Sequence, residues 1–196
     1  MRDPRPTVHY TLVLAGPATD TIVQSILLQR ARIWIAPTAM SATPTTAEDR
    51  LAKLGVRLPD APSPFGAYLP AVQTGNLLFL SGMLATVGHA PTIAGVVGND
   101  LDVNAGQQAA YAAALNVLSL TKKQLGSLNR VNQFVRLSVF VAATPEFTEH
   151  PKVADAASEL LRAVFGAEML PSRVVIGVSS LPLGSPVELE VILEVK

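Results

Sequence analysis

The sequence predicts an α+β fold in which one mixed sheet carries two helices on one face. Three observations lead there. Apolar residues recur at three- and four-residue steps in two long stretches, residues 105–125 and from Pro151 to Gly166. Segments rich in β-branched and aromatic residues surround those helices, in the order ββ, long α, β, α, ββ. The chain also has 196 residues, 49% hydrophobic against 15% charged, enough for one packed domain with some excess length.

The excess lies at the start. Residues 1–45 carry Pro4, Pro6, Pro17, Pro37 and Pro44 among short apolar runs, none near the ~18 to 20 residues of a membrane helix. Asp3, Pro6 and Asp20 interrupt any secretory pattern. Arg30 and Arg32 with few acids leave a mitochondrial transit segment open. An N-terminal extension, with Met40 as the natural beginning of a cytoplasmic protein, is the preferred expectation. The domain is expected over residues 46–196.

Thr45 and Thr46 precede residues 47–54 as hydroxyl caps, Glu48 and Asp49 occupy a first helical turn, and Gly55 ends it. Pro59, Pro62 and Pro64 hold an extended linker. Residues 68–73 and 77–80 read as a hairpin around Thr74-Gly75-Asn76, closed by Ser81-Gly82. A Gly-rich stretch, 86–99, leads to the long helix. Its face is Ala110, Ala114, Val117, Leu118, Thr121 and Leu125, and Gly126 terminates it. Residues 131–142 form a strand. Pro151 opens the second helix, whose apolar face is Val153, Ala157, Leu160, Leu161 and Val164. Residues 173–179 and 187–195 are the last two strands. Helices on one side leave the other sheet face apolar and uncovered, which predicts an oligomer.

Composition excludes several functions. Fifteen basic and fifteen acidic residues give zero net charge, against a dedicated nucleic-acid binder. Without Cys there is no disulfide scaffold, thiol catalysis or thiolate metal site, and His9, His89 and His150 are too scattered for a His-based one. Ser81-Gly82 and Ser179-Ser180 lack a nucleophile-elbow context. Gly95-Val96-Val97-Gly98 lacks the Lys and helix start of a phosphate loop. His89 reads as an exposed loop residue, and Lys122-Lys123 as a solvated face near a helix C-terminus.

Ionisable residues inside apolar strands are the remaining candidates. Arg173 opens Arg-Val-Val-Ile-Gly-Val, and Glu188 and Glu190 share one face of the last strand, opposite Val187, Leu189, Val191 and Leu193. On adjacent final strands, the guanidinium could grip a carboxylate while a Glu handles a proton or a water. From these strands alone the preferred reading is plainer: the two glutamates line a solvated face with Arg173 paired to one of them.

The segment Pro171-Ser172-Arg173-Val174-Val175-Ile176-Gly177-Val178-Ser179-Ser180-Leu181-Pro182, followed by Val187-Glu188-Leu189-Glu190, resembles the RidA/YjgF family of reactive-intermediate deaminases. The 15-position step from Arg173 to Glu188 agrees with that family. So do Gly66-Ala67-Tyr68, Thr74-Gly75-Asn76, Ser81-Gly82 and Ser138-Val139-Phe140-Val141, in order over residues 46–196. Glu48-Asp49-Arg50-Leu51 before a Pro-rich linker, and Ser180-Leu181-Pro182-Leu183-Gly184, resemble the longer YjgF-like branch, often named endoribonuclease L-PSP.

The resemblance implies a chorismate-mutase-like homotrimer with ligand clefts between subunits, and neither metal nor cofactor. It implies hydrolysis of 2-imino or 2-enamino acids to 2-keto acids and ammonia. Arg173 would bind the substrate carboxylate and Glu188 would assist the water. Tyr68 would close the pocket, with Gly82, Ser158 and backbone near Val175 as further substrate contacts. Ser158 departs from the Asn of deaminating relatives, and Ala67 and Pro70 depart from their commoner pattern. That departure motivates the alternative of a non-catalytic trimer binding small carboxylates. Endoribonuclease activity is a third, weaker alternative, and no membrane or nucleic-acid partner is expected.

Overall fold

The computed structural model describes residues 45–196. The expected extension, residues 1–45, therefore lies outside the described residues except for Thr45. Helix α1 (Ala47–Lys53) starts with a capping box: Thr46 Oγ1 accepts from the Asp49 N–H, and Asp49 accepts from the Thr46 N–H. The first hairpin is shorter than expected at its start. Strand β1 is Ala71–Thr74, and residues 68–70 precede it as bends and loop, because Pro70 has no N–H to place in a ladder. Gly75, at φ +57°, makes the two-residue turn into strand β2 (Leu77–Leu84). That strand continues four residues past its expected end, through a register shift between Leu80 and Met83.

The glycine-rich stretch contains a two-residue hairpin, β3 (Thr86–Val87) and β4 (Ala90–Pro91). Helix α2 (Val103–Leu125) begins two residues earlier than its apolar pattern, since Asp102 caps it by accepting from the Ala105 N–H. Gly126, at φ +78°, ends it. Strand β5 (Val131–Ala142), helix α3 (His150–Phe165), strand β6 (Ser172–Val178) and strand β7 (Val187–Val195) complete the chain. None of these helices is long and apolar enough to cross a membrane.

The five-stranded sheet runs β1-β2-β7-β5-β6. Only β5 and β6 are parallel; α3 is the crossover that a parallel pair requires. Strand β7 alternates strictly: Val187, Leu189, Val191, Leu193 and Val195 are buried, while Glu188, Glu190, Ile192 and Glu194 face the other way. The core lies on the first side, where α2 brings Ala110, Ala114, Val117 and Leu118 and α3 brings Val153, Ala157, Leu161 and Val164. The opposite face has no helix on it among the described residues and exposes Val72, Phe79 and Ile176. The fold is therefore α+β with a mixed sheet and its helices on one side.

One expectation is overturned by the strand order. Arg173 and Glu188 do not stand on adjacent strands, because β5 lies between β6 and β7. The two strands are thus separated by about 10 Å, two inter-strand steps. Nor does Arg173 pair with Glu188 or Glu190; its partner is Asp155.

Candidate functional site

The structure divides the sequence-predicted residues into two groups. Arg173 pairs in register with Leu137, which is fully buried, so its side chain leaves the sheet on the helix side. There the guanidinium meets α3. Its Nη1 donates to Asp155 Oδ1 and to Ser158 Oγ, both at 2.8 Å. Asp155 and Ser158 stand three apart and so project from one face of the helix. Val175 is two residues along the same edge strand. The Val178 carbonyl accepts from the Ala143 N–H on the β5 side. Alternation then turns the backbone N–H and C=O of Val175 to the open edge, alongside Arg173.

The second group lies on the opposite face. Glu188 pairs in register with Phe140 and Leu84. Its carboxylate covers Gly82, where a Cβ would overlap Oε1, so the glycine supplies the recess in which the acid lies. A cleft of about 330 Å³ gathers Phe65, Tyr68, Gly82, Leu84, Leu183 and Glu188. The Tyr68 hydroxyl accepts from the Phe65 N–H at 3.2 Å, which orients the ring in that loop. Buried Asn116 on α2 fixes the strand beneath by donating to the carbonyls of Leu84 and Thr86, both at 2.9 Å. Leu183 reaches the cleft from a backbone at φ +59°, a left-handed conformation that disfavours a leucine by about 1 kcal/mol.

Burial raises the pKa of Glu188 above the ordinary 4.5, and the negative charge of Glu190 adds to the effect. Among the described residues no donor reaches its carboxylate to oppose this. The acid is therefore a better proton acceptor than a solvated glutamate and faces a cleft with an aromatic wall.

Tyr68, Gly82 and Glu188 are thus brought together, and so are Arg173, Ser158 and the Val175 backbone. A single chain does not join the two groups, which occupy opposite faces of the sheet. Sequence reasoning missed Asp155, Phe65 and Leu183. The Asp155–Ser158 spacing on a helix facing Arg173 was the available signal; Phe65 and Leu183 lie in loops whose path no periodicity reports. Two other readings change in detail. Lys122 is no free solvated cation, since it donates to Glu48 at 2.8 Å. His89 is exposed as expected, but bonds Ser63 Oγ at 3.0 Å and packs on Phe65.

Comparison with known proteins agrees with this architecture. Residues 48–194 match the family model described as "YjgF/chorismate_mutase-like, putative endoribonuclease". Protein TCP17 of Trypanosoma cruzi is 41% identical over 74% of this chain and 91% of its own length. A 2-iminobutanoate/2-iminopropanoate deaminase of Dermatophagoides farinae is 27% identical over 72% of this chain and 95% of its own. Among solved structures, protein Atu1372 of Agrobacterium tumefaciens, of unknown function, superposes with a TM-score of 0.71 at 37% identity. That match covers 76% of this chain and 92% of that one. The fold, the ordered motifs and the family match lead to one statement: this chain belongs to the YjgF/chorismate-mutase-like family, the RidA/YjgF proteins.

Proposed function

We propose that this chain hydrolyses reactive 2-imino and 2-enamino acids to 2-keto acids and ammonia, in clefts shared by the subunits of a homotrimer. The observation that carries the proposal is Glu188: a half-buried carboxylate of raised pKa, recessed over Gly82 and facing a cleft closed by Tyr68. Placement of the two groups on opposite faces supports assembly, because the Arg173 edge of one copy could complete the Glu188 cleft of the next. The exposed Val72, Phe79 and Ile176 on the helix-free face give that assembly apolar surface to bury. The deaminase relative supports the reaction class.

In this mechanism the guanidinium of Arg173 holds the substrate carboxylate in a fork of charge-assisted bonds. Glu188 takes a proton from water as the oxygen attacks the imine carbon, then returns it to the departing nitrogen. The balance is R–C(=NH₂⁺)–COO⁻ plus water giving R–CO–COO⁻ plus ammonium. The protonated imine is already electrophilic, so orientation and proton management suffice and no cofactor is invoked.

The test generates the imine with an amino-acid oxidase in the presence of a trapping nucleophile and adds the purified full-length chain. Trapped adduct is expected to fall with enzyme concentration, and Arg173→Ala is expected to lower kcat/KM by about 100-fold or more. Unchanged hydrolysis by that variant, or a monomer in solution, overturns the proposal. A second reading, a trimer that binds small carboxylates without turnover, is favoured by Ser158, whose hydroxyl is occupied by Arg173. It predicts ligand-dependent thermal stabilisation with no loss of trapped adduct. Ribonuclease action has less support, since the chain has zero net charge.

A further inference from the structure

Both hydrogen bonds made by the Arg173 guanidinium fall on one nitrogen. Nη1 donates to Asp155 Oδ1 and to Ser158 Oγ, which uses both of its N–H groups. No acceptor among the described residues meets Nε or Nη2. Of the three remaining N–H groups, the Nε–H and one Nη2–H lie parallel along one side of a planar fork, the arrangement that matches the two oxygens of a carboxylate. The clamp is rigid, because α3 buries Val153, Ala154, Ala157 and Leu160 beneath it.

Asp155 also changes the charge of the site. Its carboxylate balances the guanidinium, so the pair presents a directed fork with no net charge. A ligand with one carboxylate gains the fork. A ligand with a second anionic group near the Nη1 corner meets the Asp155 carboxylate instead.

We propose that Asp155 is a positioning and specificity residue, turning the Nε–Nη2 edge of Arg173 toward the ligand and selecting monocarboxylates over dicarboxylates. The inference rests on the reading that Arg173 binds a carboxylate, and it narrows the substrate class to imines of monocarboxylic keto acids.

The test uses two probes of equal chain length, 2-oxopentanoate and 2-oxopentanedioate, titrated calorimetrically into the full-length protein. The wild-type chain is expected to bind the monoacid about tenfold or more tightly, the order of effect of one partly solvated unit charge at close range. Asp155→Asn keeps an oxygen acceptor for Nη1 and removes the charge. It should bring the ratio close to one, chiefly by improving binding of the diacid. The Asp155 side chain is 56% exposed, so the variant should fold as the parent does. An unchanged ratio in Asp155→Asn overturns the inference while leaving the carboxylate reading intact, provided Arg173→Ala loses both probes. Equal binding by Arg173→Ala and wild type, or no binding of either acid to the wild-type chain, overturns the carboxylate reading and this inference with it.

Discussion

Glu48 and Glu188 are both half-buried glutamates, and their surroundings push them in opposite directions. For Glu48, burial alone would raise the pKa above 4.5. The Lys122 ammonium, the Leu128 N–H and the Ser127 hydroxyl more than offset it, so the net shift is downward. Its carboxylate accepts from Lys122 Nζ at 2.8 Å and from the Leu128 N–H at 3.0 Å, tying α1 to the end of α2 and the start of β5. Glu188 lies deeper, with another acid nearby and no donor from the described residues, and its shift is upward. Depth of burial and the supply of donors together separate the two. One carboxylate ties segments of the fold together; the other, on the proposed function, is kept basic at some expense to stability.

Removing each charge in turn sharpens that contrast. The largest expected effect is on turnover: Glu188→Gln should lower kcat for imine hydrolysis by about 100-fold or more, measured in the trapping assay, with near-normal circular dichroism. A fully active Glu188→Gln enzyme would break the distinction. Next in size, Glu48→Gln should destabilise the protein by about 1 kcal/mol at pH 7 in urea unfolding, with activity per folded molecule unchanged. Its pKa is depressed in the folded state, so the stabilisation is present above the ordinary 4.5 and fades as pH falls through the folded value. The deficit of Glu48→Gln should therefore shrink in acid.

The smallest effect has the opposite sign. The pKa of Glu188 is raised in the folded state, so between 4.5 and the folded value the native protein binds its proton more tightly than the unfolded chain. Stability is lost as pH rises through that window. Glu188→Gln should then raise Tm slightly at neutral pH and leave it unchanged well below pH 4.5. A variant less stable than wild type at pH 7 would contradict this account of the carboxylate.

Much of this arrangement is legible in local pattern. The alternation of β7 places Glu188 and Glu190 opposite the buried valines and leucines, because a strand has a two-residue period whatever surrounds it. Both long helices and their Gly or Pro boundaries follow from caps and apolar steps in the same way. Strand order is different. Nothing local states that β5 inserts between β6 and β7, so Arg173 and Glu188 look like neighbours in sequence and prove to be on opposite sides of the sheet. Tyr68 was expected in a strand and lies before it, since Pro70 delays the ladder. Asp155 reads as one more exposed helix acid until the edge strand is placed beside it, and Lys122 reads as solvated until α1 is docked. Apart from Tyr68, what escaped notice was a pairing between distant segments.

Gly82 has a consequence for how such a protein could change over descent. A methyl group there would collide with the tip of a flexible acid and not with backbone, so the fold could absorb it while the acid swung aside. If the proposed hydrolysis holds, one altered codon could therefore retire the chemistry and spare the scaffold, leaving a receptor for the same small molecules.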